Sequence, residues 1–326
     1  MDRRRFIATS LLGAVGVPHS ARAEPVGKVY QVGIVTLGAA PRHSTLWQGF
    51  IGAMRELGYV EGRNLVIRLA LAEGARDRLA GLVVRLVEAK VDVIVTTSID
   101  ETMAAKRATS TIPIVMTVAP DPVGEGLIAS LAKPGGNVTG ITNLVPGVHE
   151  KYVELLKEAV PSTTRFVVLA APGRPFPQIR RELEAAAERV GGVVSYSVVT
   201  GADDLDGALM RAKQERNAAI IAPLGAVTYR YREKLAQLAV KHRLPGMYWD
   251  RAFVEVGGLM TYSATLAEIG RRAAYFVDRL LNGAKPADLP VEQPTRFELV
   301  INLKTAKALG LTIPQSVLLR ADEVIQ

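Results

Sequence analysis

Short apolar runs alternate with helix-spaced segments from Tyr30 to Leu309, and this alternation constrains the fold more than any other feature of the chain. Tyr30–Leu37 is β-branched and ends at Gly38; Leu46–Leu57 then keeps helical spacing until Gly58. Leu65–Leu69 alternates and Asp77–Ala89 is amphipathic. Val91–Thr97 is a near-continuous apolar run, which reads as a strand buried on both faces of a parallel sheet. Helix Thr102–Thr109, strand Ile112–Val118, a short helix at Gly126–Leu131 and strand Val138–Thr142 follow.

After Pro146 the pattern restarts. Helix Glu150–Val160 leads to strand Arg165–Ala170, helix Gln178–Val190 and strand Val193–Val199, then helix Leu205–Glu215 and strand Ala218–Ala222. Helix Tyr229–His242 and a short strand at Gly246–Tyr248 close this set. Strand Gly258–Tyr262, helix Leu266–Leu281, strand Phe297–Asn302 and helix Lys304–Leu309 form an extension. Repeated βα units imply parallel sheets covered by helices on both faces. Two such layers of about a hundred residues each exceed what one sheet holds comfortably. The expected fold class is therefore α/β, with two Rossmann-like lobes and a cleft between them.

Composition narrows the function classes. The chain has no Cys, which excludes a disulfide framework, thiolate chemistry, Cys-bound metal and a lipid anchor. His19, His43, His149 and His242 stand far apart with no H-x-x-x-H spacing, so they read as surface imidazoles and no metal site is expected. The formal charge is +8, but residues 1–23 carry four Arg and one Asp, and the remaining charges are mixed along helices. No basic block with interleaved aromatics appears, so no nucleic-acid partner is expected.

The amino terminus reads as an export label. Arg3, Arg4 and Arg5 form a charged region, Phe6 to Val17 a short apolar stretch, and Ala21-Arg22-Ala23 a cleavage site. That stretch is too short to span a bilayer. The order Arg3, Arg4, Phe6, Ile7 resembles the twin-arginine signal, with Asp2 where Ser or Thr is usual; a general export signal fits as well. Cleavage after Ala23 and a soluble periplasmic chain are expected.

Enzyme motifs are missing where this fold class would carry them. The first strand-to-helix turn, Leu37-Gly38-Ala39-Ala40-Pro41, lacks G-x-G-x-x-G. There is no G-x-x-x-x-G-K-[ST] and no G-x-S-x-G. The expectation is no catalysis and no cofactor.

Several stretches resemble the substrate-binding proteins of ABC transporters, in particular the tryptophan- and tyrosine-type receptors. They include Glu56 to Asn64, Lys90 to Val95, Asp121 to Gly124, Lys133 to Gly140 and Ala239 to Pro245. Gly283 to Pro290, Phe297 to Asn302 and Leu319 to Glu323 match almost continuously. The resemblance implies the type I periplasmic-binding-protein fold, with three hinge crossings and a ligand in the cleft. It also implies a small-molecule solute and an inner-membrane ABC permease as partners of a monomer. The lobes are expected at 24–143 plus 256–286 and at 144–255 plus 287–326. A sensor module serving a membrane signalling partner is the alternative reading.

Departures from the family pattern fall at the carboxyl ends of strands, where open α/β sheets bind ligands. They are Ser98-Ile99-Asp100-Glu101, Ala171-Pro172-Gly173-Arg174-Pro175, Ala222-Pro223-Leu224 and Tyr262-Ser263-Ala264-Thr265. The candidate ligand-binding residues are Thr36, Gly38, Thr97, Ser98, Thr117, Asp121, Arg174, Tyr248, Asp250 and Tyr262. Ser98 and Glu101 read either as a capping box or as part of a ligand site. Asp121, braced by two prolines, reads either as a ligand acceptor or as a helix cap. Arg174 could clamp a carboxylate or stay solvated. Tyr248, Trp249 and Asp250 suit stacking plus a hydrogen bond. Trp47 reads either as core or as a ligand platform.

Overall fold

The computed structural model of the chain describes residues 28–38, 44–143, 145–170, 177–223 and 225–326. The expected export label and Arg174 lie outside them. In the first lobe β1 (Tyr30–Thr36), α1 (Thr45–Glu56), β2 (Leu65–Leu71), α2 (Leu79–Glu88), β3 (Val93–Thr96), α3 (Ile99–Ala108), β4 (Ile114–Met116) and β5 (Val138–Gly140) follow one another. Their strands form a wholly parallel sheet in the order β2-β1-β3-β4-β5.

The period of two along each strand decides which helix each residue meets. Val32, Ile34, Val93, Val95 and Val115 point to α1 and to α10 (Leu266–Leu281), whereas Val35, Ile94, Ile114 and Met116 point to α2 and α3. Trp47 is core, packed edge-on against Phe50 at 5.6 Å. Gly126–Leu131 forms turns instead of the expected helix: Gly126 has φ +69 and the segment folds back onto Pro122.

The second lobe contains α4 (Val148–Ala159), β6 (Arg165–Ala170), α5 (Pro177–Arg189), β7 (Val193–Val198), α6 (Ala202–Gln214), β8 (Ala218–Ala222), α7 (Ala226–Arg230), α8 (Arg232–Lys241), β9 (Gly246–Tyr248) and α9 (Arg251–Glu255). To these it adds β10 (Met260–Ala264), β11 (Phe297–Asn302), α11 (Leu303–Leu309), α12 (Gln315–Leu318) and β12 (Glu323–Ile325). The sheet order is β12-β11-β10-β9-β8-β6-β7, parallel except where β11 meets β10. The expected helix Tyr229–His242 is broken at Tyr231, which separates α7 from α8. His149 is not a surface imidazole: it is buried, 3.1 Å from Glu182 and edge-on to Tyr152.

Pairing moves the lobe boundaries from where they were expected. Residues 260–264 belong to the second sheet through β9 and β11, so the return to the first lobe begins with α10, not at 256. It also continues past 286. Leu289 O accepts from Thr139 Oγ1 at 2.7 Å, Val291 N donates to Leu131 O at 2.7 Å and Glu292 bridges to Ile141. Long-range hydrogen bonds that local composition does not report set both limits.

The lobes also touch away from the crossings. Gly74, at φ +87 in the turn after β2, faces the guanidinium of Arg230 from α7. A Cβ there would be strained by φ and would meet Nη1, which can swing away. Gly74→Ala is therefore expected to cost about 1–2 kcal/mol, mostly backbone. Urea unfolding measures it, and an Arg230→Ala background should leave most of the loss in place.

Candidate functional site

The three crossings locate the site. β5 leaves the first sheet at its carboxyl end and enters α4, which runs back along β6; β10 leaves the second sheet at its carboxyl end and enters α10. The segment after Glu292 enters β11 beside the end of β10. Every connection thus joins the carboxyl edge of one sheet to that of the other, and the two edges face each other. Open α/β sheets bind ligands at this edge.

On the first lobe the edge is organised by Glu101, which is 1% exposed. One carboxylate oxygen accepts from Leu37 N at 2.5 Å; the other accepts from Thr97 N at 2.5 Å and from Thr97 Oγ1 at 2.7 Å. Burial pushes this carboxyl above its ordinary range, against the pull of those donors. The expected capping box is thereby altered. Ser98 Oγ does accept from Glu101 N at 3.4 Å, but the Glu101 carboxylate reaches past Ser98 to join the ends of β1 and β3. Its neighbour Asp100 turns the other way and meets Arg76 at 3.3 Å.

Thr36 Oγ1 accepts from Gly38 N at 3.0 Å and lies 3.4 Å from Thr97 Oγ1, so Thr36, Gly38, Thr97 and Ser98 do gather at one place. Thr117 does not join them: it is fully buried and its hydroxyl donates to Thr96 O at 3.0 Å. Asp121 has φ +48, and its Oδ1 accepts from Gly124 N at 2.9 Å. It caps a turn, not a helix.

On the second lobe, depth of burial distinguishes the neighbours at the end of β9. Tyr248 is fully buried, stacked on Phe253 at 4.9 Å, with its hydroxyl lying back over Gly246, away from the strand end. It belongs to the core, not the cleft. Tyr262 is half-buried and stacked on Phe297 at 5.4 Å. Asp250 stands at the strand end, 5% exposed, where its Oδ1 accepts from Ala252 N at 2.9 Å. Burial pushes its pKa to about 6, with Arg232 and Arg251 only partly opposing. The same charge, after burial, helps raise the phenols of Tyr152 and Tyr229.

The sequence reading passed over Tyr229 and Arg232. The Trp249 ring packs on Tyr229 at 5.3 Å, and the Arg232 guanidinium lies over Tyr229 at 4.9 Å. Among the described residues, Trp249 Nε1 and Arg232 Nε are buried donors without a partner. The edge of the second lobe therefore offers aromatic faces, two unused donors and an underpaired carboxylate within one cluster. Glu101 had a readable signal. It is placed with Ala105 at i+4 on the inward face of α3, whose other buried members are Ile99 and Thr102.

Among the described residues no helix is long and apolar enough to cross a membrane. A family model described as ABC transporter substrate binding protein matches residues 31–325. The chain is 27% identical over 295 residues to a tyrosine-binding protein of Clostridioides difficile, covering 87% of this chain and 82% of that one. Among solved structures it is similar to the ABC domain from Streptococcus pneumonia in complex with L-Trp, with TM-score 0.84, 27% identity, and coverage of 91% of this chain and 100% of that one. A conserved domain protein from Vibrio cholerae superposes with TM-score 0.84 at 29% identity, with coverage of 91% and 100%.

Proposed function

The chain belongs to the ABC transporter substrate-binding protein family, and on that premise we propose that it is the exported, periplasmic receptor of an importer. It closes its two lobes on a small organic solute and presents the closed form to an inner-membrane permease. The observation that carries this reading is the facing pair of carboxyl edges, with every crossing placed at those edges where it can act as a hinge. The ligand set comprises Thr36, Gly38, Thr97 and Ser98 from the first lobe and Asp250, Trp249, Tyr229 and Arg232 from the second, with Arg174 from the sequence between β6 and α5. The solute is of amino-acid or aromatic type, in keeping with the names of the relatives. A ligand that bridges both edges has differential affinity for the closed state, which is what moves the equilibrium.

Thermal-shift screening of the purified receptor against amino acids, aromatic acids and aromatic amines tests it, followed by calorimetry. A solute at a hundredfold excess over Kd should stabilise the fold by about 2.7 kcal/mol. It should be recovered unchanged. Recovery of an altered compound, or no stabilisation by any member of these classes, would sink the proposal.

A further inference from the structure

We propose that Glu101 permanently fills the carboxylate seat of the first lobe, so that the solute meets this lobe through an amine or another hydrogen-bond donor and not through a carboxylate. The inference rests on the reading of the facing edges as the solute cleft, and deepens it by naming the class of group admitted.

The seat is assembled from two adjacent strand ends. Leu37 N follows β1 and Thr97 N follows β3, and these strands are neighbours in the sheet. Two backbone N–H groups, one hydroxyl and the first turn of the ten-residue α3 converge on a single point. Such a constellation receives a carboxylate well, because each donor is charge-assisted and the helix dipole adds to them. Here the occupant belongs to the chain itself. Glu101 takes up all three donors and is 1% exposed, so no oxygen of a solute reaches them.

A helix cap alone would not need this arrangement. Ser98 already caps α3, and Asp100, the other acid of the turn, turns away to Arg76. The Glu101 carboxylate instead spans 64 residues of sequence to hold Leu37. A second anion brought to the same edge would find the donors already used. An amine or a hydroxyl has no need of those donors. Across the cleft, Asp250 is a further buried carboxylate with one backbone donor on it, which favours the same sign of ligand charge.

Two measurements test this, and they fail separately from the receptor reading. The first is chemical rescue. Glu101→Ala leaves Leu37 N and Thr97 N without a partner, so its melting temperature should fall and recover saturably as sodium acetate or formate is added. Sodium chloride at equal ionic strength should not restore it, and the wild type should not respond to acetate. Glu101→Gln keeps the seat filled and should show no rescue; if the alanine variant does not fold, the Glu101→Ser variant takes its place. A folded variant that acetate does not rescue overturns the proposal, whatever the solute proves to be.

The second compares acids with their decarboxylated amines, tyrosine with tyramine and tryptophan with tryptamine, by calorimetry. The wild type should bind the amine at least as tightly as the acid, and Glu101→Ala should shift the preference toward the acid by about tenfold or more. A wild type that prefers the acid by about tenfold, with no shift in the variant, overturns it. Rescue by acetate with no binding of either pair counts against the aromatic solute class and leaves the filled seat standing.

Discussion

Gly270→Val is expected to destabilise the receptor by roughly 3 kcal/mol, at the upper end of the usual cost of overpacking. α1 and α10 cross in the first lobe so closely that a Cβ on Gly270 would run into the carbonyl of Leu46, with Phe50 N also too near; Gly49 meets the carbonyl of Ala267 in the same way. These neighbours are backbone in helices, so neither can move aside alone. Around the crossing Trp47, Phe50 and Met54 pack against Ile269, Ala273, Phe276 and Val277, and Arg271 closes its edge with two hydrogen bonds to Glu56 at 3.0 and 2.7 Å. Gly270→Ala makes the sign diagnostic. Helix propensity alone would make alanine stabilising by about 1 kcal/mol, whereas the close approach makes it destabilising. Thermal and urea unfolding decide between them, and a more stable alanine variant would refute the packing. The consequence reaches function, since α10 is the helix through which the second crossing re-enters the first lobe.

At neutral pH Asp250→Asn is expected to gain stability, by as much as about 3 kcal/mol. Its folded pKa is raised from 3.8 to about 6, chiefly by burial. Between those values the folded chain holds more protons than the unfolded one. Stability therefore falls as pH rises through that window, and above it the cost of the buried charge is fully present. Asparagine keeps an oxygen for Ala252 N and carries no charge, so the cap survives while the penalty disappears. The two proteins should be equally stable near pH 4, and the variant should be ahead above pH 6. Parallel curves across that range would remove the premise that Asp250 is buried and underpaired. A solute amine would pair with this charge, so the substitution that stabilises the empty receptor should weaken such a solute.

Much of the molecule was legible in residue order. The apolar run Val91–Thr97 gave β3, and the i, i+4 spacing of Leu266–Leu281 gave α10 with those same limits. The α/β pattern pointed to the strand ends as the candidate site, and Thr36, Gly38, Thr97 and Ser98 lie together there. Other readings failed for reasons that can be named. Tyr248 and Trp249 are adjacent aromatics of equal promise in sequence and pack on the same core layer, but Tyr248 is fully buried against Phe253, whereas Trp249, just past the end of β9, is only half-buried beside Tyr229. Thr117 resembles the other strand-end threonines, yet its hydroxyl is used within the sheet. Short β12 and α9 carry too few residues to show a period.

Sequence by itself determined most element types and the two-lobed α/β class, and it pointed to the strand ends as the candidate ligand edge, because periodicity and strand burial are local properties of the chain. Only the tertiary structure decided where the lobes divide and what the cleft offers. Residues 260–264 joined the second sheet through partners in β9 and β11, and Leu289 returned to Thr139 from 150 residues away. Glu101 looked like one half of a capping box until Leu37 came to meet it. A buried carboxylate is defined by its donors, and when those donors come from another strand, no spacing along the chain reports them.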